Sequence, residues 1–579
     1  MRRRIRLAVS AFLILFGGLL AFFLWQRAMH MNRPLPAALP NGSAAGDVTQ
    51  NSAVLWARSP ATGALTFAYG VDLAHNPTVV TQAVISPLLP MTIEVAGLMP
   101  NTLYHYRVSN AQGDTVDGQF QTAAPVGAHT GLRFGVSGDW RGDLAPYLAI
   151  QNAPARHLKF FVELGDTIYA DFSSPAAPAN QATTLTDYRL KYSEVYSTHS
   201  GLNLLATLRA NTALLATIDD HEVMNNFSGG APAAWDERFH TTHGLVNETA
   251  LYQNSMQAFQ EYNPIHGEHY GMIGGDGRMD HKPKFYRYRL DGSDAALLML
   301  DERSFRDPPV RYITKLIDTP RFLKDAFTPG RTILGTQQLQ DLEHDLLDAQ
   351  QKGVTWKFVA VPEPIQNLGP IGGEDRFEGY AAERTALLRF IAEQRITNVV
   401  FIAADIHGTL VNNLTYQTDA SQPQQASGAF EVTVGPVAFS PTFGPTIVSI
   451  GENLGLITST ERVRYNALPI KNDTDSEVND KDDFVKALLN RELQTLGYDP
   501  IGLDGSLVKA TLLQGDYVAV HTFGWTEFEI AKDTQVLTIT TYGVPAYTGA
   551  ESAANARSSP TIVSQFRVEP LIAAPHGGS

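Results

Sequence analysis

The stretch "LKFFVELGDTIYAD" (residues 158–171) runs from an apolar segment into Gly165 and Asp166, with Tyr169 three residues further on. A short apolar run bounded by a Gly-Asp turn reads as a buried β-strand. The turn accounts for the glycine and the aspartate but not for the tyrosine. Three more runs share the design. "LRFGVSGDWRGD" (132–143) delivers Asp139 and Arg141, "TALLATIDDHEVMNN" (212–226) delivers Asp219, Asp220, His221, Asn225 and Asn226, and "NVVFIAADIHG" (398–408) delivers Asp405 and His407. In α/β sheets, ligands gather beyond the carboxyl ends of the strands, where a rigid sheet fixes the positions and loops supply the side chains. The four runs are therefore read as strands whose ends build one metal site.

Each run has a plainer reading when taken alone. Asp166 starts a turn and Tyr169 is a packed aromatic; Asp219 or Asp220 caps a helix over "HEVMNNF"; Asp139 and Asp143 are turn residues beside a surface arginine; His407 is a hydrogen-bonded core histidine; Asn225 and Asn226 are turn asparagines. Asp405 and His407, two residues apart at a strand end, face the same side, and two ligand types converging there are more specific than either alone.

Between these runs lie helical patterns. "TQQLQDLEHDLLDAQQKG" (336–353) places Leu339, Leu342 and Leu346 on one face, with Gly353 placed to end the helix. "TWKFVAV" (355–361) follows as a strand, and "YAAERTALLRFIAEQRI" (380–396) as a second helix. Alternating strands and helices predict an α/β domain over 131–548. Residues 457–515 read as a helical insertion or a lid, and 549–579 as a C-terminal tail. Ahead of this domain, "SAVLWAR", "ALTFAYGV", "MTIEVAGL", "TLYHYRV" and "GQFQTA" are short alternating strands with close turns, which predict a small β-sandwich over 41–124. "LMPNTLYHYRVSNAQG" (98–113) resembles a late-strand signature of fibronectin type III-like domains, with Tyr104 as the corner tyrosine. "TAAPVGAHT" (122–130) reads as the connection between the two units.

A chain of 579 residues exceeds one ordinary core, so two or more units are expected. A net charge of −15 argues against a nucleic-acid duplex as partner, since phosphate backbones need clustered Lys and Arg. The absence of cysteine removes disulfides, zinc–thiolate sites, iron–sulfur clusters and cysteine nucleophiles. Any metal must be held by Asp, Glu, Asn, His or Tyr, donors that suit iron, calcium, manganese or magnesium. At the N-terminus, Arg2, Arg3, Arg4 and Arg6 precede an unbroken apolar-to-neutral run from Leu7 to Trp25. As a helix it would span roughly 28 Å, near the thickness of a bilayer's hydrocarbon core. Residues 1–25 are read as a signal anchor in preference to a cleaved signal peptide, with the basic end cytoplasmic and the remainder exported; 26–40 is a linker.

The order Asp139, Gly165-Asp166, "DDHE" (219–222) and "DIH" (405–407) resembles the calcineurin-like metallophosphatase scheme. It is more closely similar to the PhoD-like alkaline phosphatase and phosphodiesterase family, in which the second motif reads GDxIY and the third DDHE. "LDERSFRD" (300–307), "LGTQQLQDLEHDL" (334–346), "FEGYAAERTALLRFI" (377–391), "FEVTVGPVAF" (430–439) and "NGSAAGDVTQNSAVLWAR" (41–58) also look like that family's phrases. The resemblance covers nearly the whole exported part. It implies a four-layer metallophosphatase-type β-sandwich flanked by helices.

Residue by residue, it implies that Asp166 bridges two metals, that Tyr169 binds ferric iron as a tyrosinate, and that Asp405 and His407 complete the iron shell. Asp220 stands where the metal-binding asparagine of GNHE falls, and its anionic oxygen suits calcium. His221 stands where the histidine that contacts the phosphate falls. Asp219, Asn225 and Asn226 are candidates for supporting or ligand roles. The family's first motif carries a cysteine, in a phrase like SCQ; here it reads "SGD", with Gly138 at the cysteine's place and Asp139 as the natural substitute. That departure leaves manganese or another hard ion open. Ala404 stands where glycine is usual. Glu363, where the family tends to carry an amide, receives no role.

The implied activity is hydrolysis of phosphate esters by in-line attack of a metal-activated hydroxide, with His221 assisting the leaving oxygen and Arg141 pairing with a phosphoryl oxygen. Two alternatives stand beside it: a phospholipase D-like or nucleotide phosphodiesterase, and a membrane-tethered binding protein with an inactive catalytic scaffold. The expected setting is the outer face of the inner membrane, held by the N-terminal helix, or the periplasm or medium if that helix is cleaved. The sequence points to no protein partner.

Overall fold

The computed structural model describes residues 39–274, 276–313, 315–549 and 559–571. The anchor and most of the linker, 1–38, lie outside the described residues, as do 550–558 and 572–579. Among the described residues no helix is long and apolar enough to cross a membrane.

Seven strands come first: β1 (Ser43–Gly46), β2 (Ser52–Ala57), β3 (Gly63–Gly70), β4 (Thr78–Val84), β5 (Met91–Ala96), β6 (Leu103–Asn110) and β7 (Thr115–Gln121). β5 and β6 alternate buried and open residues, as half-covered antiparallel strands do, whereas β1 is buried throughout and β2 nearly so. β4-β3-β6-β7 form one sheet. β1, β2 and β5 lie in a different one, and Leu55, Ile93 and Val95 share a core with Phe67, Tyr106 and Phe120 of the first. Tyr104 stacks on Phe120, and its hydroxyl accepts a hydrogen bond from the Met99 N–H at 3.0 Å.

The next strands are β8 (Leu132–Ser137), β9 (Phe160–Leu164), β10 (Ala213–Thr217), β11 (Arg287–Asp291), β12 (Ala295–Met299), β13 (Trp356–Ala360), β14 (Val399–Ala403), β15 (Thr409–Tyr416) and β16 (Gln425–Thr433). The chain ends with β17 (Ala510–Gly515), β18 (Val518–Ala519), β19 (Thr522–Ile530), β20 (Leu537–Pro545) and β21 (Thr561–Val568). They make two large sheets, ordered β17-β21-β20-β19-β8-β9-β10-β1-β2-β5 and β11-β12-β13-β14-β16-β15-β18. The four runs singled out in the sequence are β8, β9, β10 and β14. β8, β9 and β10 are parallel neighbours, as are β12, β13 and β14. Strands β9, β10, β12, β13 and β14 are buried along their whole length, which is why they read as continuous apolar runs rather than alternations.

The two sheets pack face to face. Phe134 of β8 stacks on Phe160 and Phe528 and meets Phe358 of the opposite sheet edge-on at 4.9 Å. Helices Leu185–Val195, Leu204–Asn211 and Ala250–Tyr262 cover the outer face of the ten-stranded sheet. Helices Thr336–Gln351 and Ala381–Glu393 cover the other. In the first of that pair Leu342 and Leu346 are buried and Leu339 packs beside them, and Gly353 ends it at φ +70°. A further group, Phe443–Asn453, Ser459–Ala467 and Lys481–Thr495, surrounds a small core of its own with Val448, Tyr465, Val485 and Val520.

The segments of the chain are fastened to one another by pairings distant in sequence. β1 pairs in parallel with β10, so the N-terminal strands β1, β2 and β5 extend the ten-stranded sheet. The 122–130 connection is likewise fastened, with Asp291 Oδ1 accepting from Ala124 N–H at 3.2 Å and Asp294 Oδ2 from Thr130 N–H at 2.8 Å. Within the stretch read as a tail, β21 inserts between β17 and β20 and buries Ser564, Phe566 and Val568. These pairings join residues far apart in sequence, which local patterns do not carry.

Candidate metal centre

The donors lie on the first residues past the strand ends. β8 is followed by Asp139, β9 by Asp166, β10 by Asp219 to His221, and β14 by Asp405 and His407. Asp139, Asp166, Asp405 and His407 take left-handed backbone conformations, with φ of +63°, +49°, +59° and +61°. Such residues cost about 1–3 kcal/mol each and cluster where surrounding structure over-determines them. The turn lets Asp139 reach inward although it stands one residue beyond the expected position. A Cβ at Gly138 would sit 2.7 Å from the Ala404 Cβ, so Gly138 and Ala404 form a matched pair that admits no side chain at 138. Gly165 has φ +77° and would press a Cβ to 2.5 Å from Asp219.

Two sets of donors share one residue. Asp139, Asp166 and His407 bring one oxygen or nitrogen each to within 4.8 Å of one another, and Asp166, Asp220 and His221 do the same. Tyr169 is buried against both sets. Its hydroxyl is 3.5 Å from His407 Nε2, and its ring lies 4.3 Å from the His221 ring and 5.0 Å from that of Phe439. Four carboxylate oxygens in this space are buried with no hydrogen-bond partner: Oδ1 and Oδ2 of Asp139, Oδ2 of Asp166 and Oδ1 of Asp220. Buried carboxylates need protons, hydrogen bonds or cations. An all-oxygen and imidazole donor set with a phenol suits a hard or borderline metal ion. The residues present fit such ions.

Asp405 falls in a third set with Asp219 and Glu363. There the cation is supplied by the chain. Arg303, fully buried, donates to Asp219 Oδ1 at 2.6 Å and Asp375 Oδ1 at 3.0 Å, pairs with Glu363, and lies 3.7 Å from Asp220. Asp219 thus anchors an arginine beside the donors. Asn225 and Asn226 are exposed and contribute backbone: their N–H groups donate to Asp171 Oδ2 at 2.8 Å and Asp220 Oδ2 at 2.6 Å. Arg141 is held by a two-pronged bond to Asp143 at 2.7 and 2.8 Å, with its guanidinium over Phe172 and Phe439.

Three supporting groups had no role in the sequence reading. Glu222 accepts the N–H groups of Asp166, Thr167 and Asp219 at 3.0, 2.7 and 2.8 Å, locking two donor loops together. Asp171 holds His221 Nδ1 at 2.6 Å. Both stand inside quoted motifs, and their acidity was the available signal. Arg303 stands inside the quoted "LDERSFRD", but its role was not legible there, because its partners are 84, 60 and 72 residues away.

Electrostatics follow from this crowding. Burial, with Asp405 and Asp219, pushes Asp139 well above the usual carboxylate range, and burial with Asp220 and Asp219 does the same to Asp166. Burial, then Asp166 and Asp139, raises Tyr169 well above an ordinary phenol. Burial raises Glu222 to about 7, and burial with Asp219 and Asp220 raises Asp405 to about 8. Burial alone would lower His221, but Asp220 and Asp171 hold it at about 9; burial and the neighbouring His221 take His407 down to about 3.

Two packed sheets with carboxylates and imidazoles collected at their strand ends define a metallophosphatase-type α/β fold. A family model described as PhoD-like phosphatase matches residues 137–482, and one described as PhoD-like phosphatase, N-terminal domain, matches 26–124. The chain belongs to the PhoD-like phosphatase family. Alkaline phosphatase D of Bacillus subtilis (strain 168) is 25% identical over 411 residues, which cover 64% of this chain and 65% of that protein. The chain thus spans just under two thirds of that relative's length. A solved structure of PhoD superposes with a TM-score of 0.64 at 18% identity, covering 94% of this chain and 95% of its own.

Replacing Arg303 by methionine leaves Asp219, Glu363 and Asp375 buried without their cation. Urea unfolding of Arg303→Met should show a loss of about 3–5 kcal/mol; a loss below about 1 kcal/mol would show that the carboxylates do not depend on it. Metal-stripped protein should also lose thermal stability as pH rises from about 6.5 to 9. Glu222 and Asp405 are acids with raised folded pKa values, and His221 is a base with a raised one, so the folded state binds more protons than the unfolded state across that window. A melting temperature that stays flat or climbs over that window contradicts this.

Proposed function

We propose that the chain is a metal-dependent phosphoric ester hydrolase of the alkaline phosphatase type, working at the centre shared by Asp166. The observation that carries this reading is the common membership of Asp166 in two donor sets among four partnerless buried carboxylate oxygens. Asp139, Asp166, Tyr169 and His407, with Asp405 behind them, would hold ferric iron; Asp166 and Asp220 would hold calcium, with manganese or another hard divalent ion as the substitute. When bound, these cations would polarise a phosphoryl oxygen and make a water acidic enough to supply hydroxide near neutral pH.

The chain's own groups complete the site. Asp171 fixes the His221 ring through Nδ1 and leaves Nε2 on the donor side, 3.8 Å from Asp220 Oδ1, where it donates to the leaving oxygen. Asp219 and Arg303 keep the loop after β10 in place. Arg141, stacked on Phe172 and Phe439 at the rim, is set to pair with a non-bridging phosphate oxygen. No serine nucleophile takes part.

The same reading extends to the rest of the chain. The strand sets β1-β2-β5 and β4-β3-β6-β7, with the Tyr104–Met99 bond, support a fibronectin type III-like N-terminal unit. Four arginines ahead of the apolar run Leu7 to Trp25 support export, with that segment as an inner-membrane anchor.

Asp166→Ala should lose bound metal and hydrolysis of p-nitrophenyl phosphate and its bis-ester together, by at least about 1,000-fold. Chelation of the native protein should do the same, reversibly. A fully active Asp166→Ala, or full activity in a verified metal-free sample, would overturn the proposal. The ratio of mono- to bis-ester rates separates phosphatase from phosphodiesterase.

A further inference from the structure

A second group of carboxylates meets away from the centre, where the loop before helix Lys481–Thr495 joins it. Asp473, Asp480 and Asp483 each bring one oxygen to within 4.8 Å of the other two. Helix capping accounts for part of this. Asp480 Oδ1 accepts the N–H groups of Asp482 and Asp483 at 2.8 and 3.0 Å. Capping leaves Oδ2 of Asp480 and Oδ2 of Asp483 buried with no hydrogen-bond partner, on residues only 1% and 4% exposed. The lysines nearby do not fill the gap. Lys486 is committed to both oxygens of Asp516, at 2.8 and 2.7 Å, and the exposed Lys471 comes no nearer than 3.9 Å to Asp473. Burial, with Asp480, Asp516, Asp473 and Asp475 around it, pushes Asp483 up to about 7.

We propose that Asp473, Asp480 and Asp483 form a calcium site separate from the catalytic centre. The donors are all oxygens and carry three charges, which select a hard cation. Two ligands are buried and fixed, while Asp473 is 28% exposed, so one side stays open to water. Calcium accepts such a mixed shell of six to eight oxygens, whereas magnesium demands tighter octahedral geometry. The site has a clear mechanical consequence. Asp482, between two of the ligands, accepts from Val520 N–H at 2.8 Å and holds His521 Nδ1 at 2.7 Å. An ion here fastens the helical insertion to the segment around β18 and β19. The helix Phe443–Asn453, packed in the same small core, touches the centre, since the Phe443 N–H donates to the His407 carbonyl at 2.9 Å.

The test compares the full native chain with Asp483→Asn, each stripped by chelator and then given calcium or magnesium chloride, by metal analysis and thermal unfolding. Bound calcium should fall by one ion per chain in Asp483→Asn. In excess calcium the native chain should melt about 3–5 °C higher than without it through this site, a shift absent from the variant. Without calcium the variant should be at least as stable as the native chain, because one member of a repelling cluster is gone; a residue needed only for packing would give the opposite sign. If Asp483→Asn fails to fold, Asp473→Asn, at the partly exposed ligand, replaces it with the same expected results. Equal calcium content and equal calcium-induced shifts in native and variant chains would overturn the proposal.

Discussion

The structure depends on repulsion that the chain does not neutralise by itself. Asp139, Asp166 and Asp220 are buried at adjacent strand ends, and their inward oxygens meet no protein donor. The effective penalty for burying an unpaired ion is several kcal/mol even after relaxation. Two sheets, a left-handed turn at each of four donors and the Glu222 clamp hold these groups against that penalty. A fold that concentrates charge this way has a place for cations built into it.

A neighbouring cluster shows the contrast. Asp219, Glu363 and Asp375 are also buried carboxylates, but Arg303 pairs with all three from within the chain, leaving Oε2 of Glu363 without a hydrogen-bond partner. The resulting network takes Asp375 far below the ordinary carboxylate range, against burial, through Arg303 and Arg306. One set of acids therefore carries its own counter-ion and serves as scaffold. The adjoining set, around Asp166, keeps four buried oxygens without a hydrogen-bond partner, although His221 and Arg303 stand near Asp220.

Much of this was legible in the sequence because central parallel strands are buried on both faces. Their continuous apolar runs end abruptly, so "FFVEL" followed by Gly165-Asp166 announces both the strand and the donor. Asp166, Tyr169, Asp220 and His407 come together as their motifs suggested. The register of Asp139 was not legible, since it rests on a left-handed turn and on the fit between Gly138 and Ala404. Nor was the allegiance of Asp405, which groups with Asp219 and Glu363. The role of Arg303 within "LDERSFRD" was not legible because its three partners lie 60 to 84 residues away, and the place of β21 was hidden because sheet order is a long-range property. Local pattern identifies a strand, whereas its neighbours are chosen by the whole core.

The proposed chemistry requires that Asp166 be shared between two metal ions. Crystallography of the metal-loaded, active protein with anomalous scattering tests it most directly. Two ion peaks are expected, each within about 2.0–2.6 Å of an Asp166 oxygen, one on the side of Asp139 and His407 and one on the side of Asp220. A fully active crystal with a single ion, or with ions that Asp166 does not touch, would contradict it.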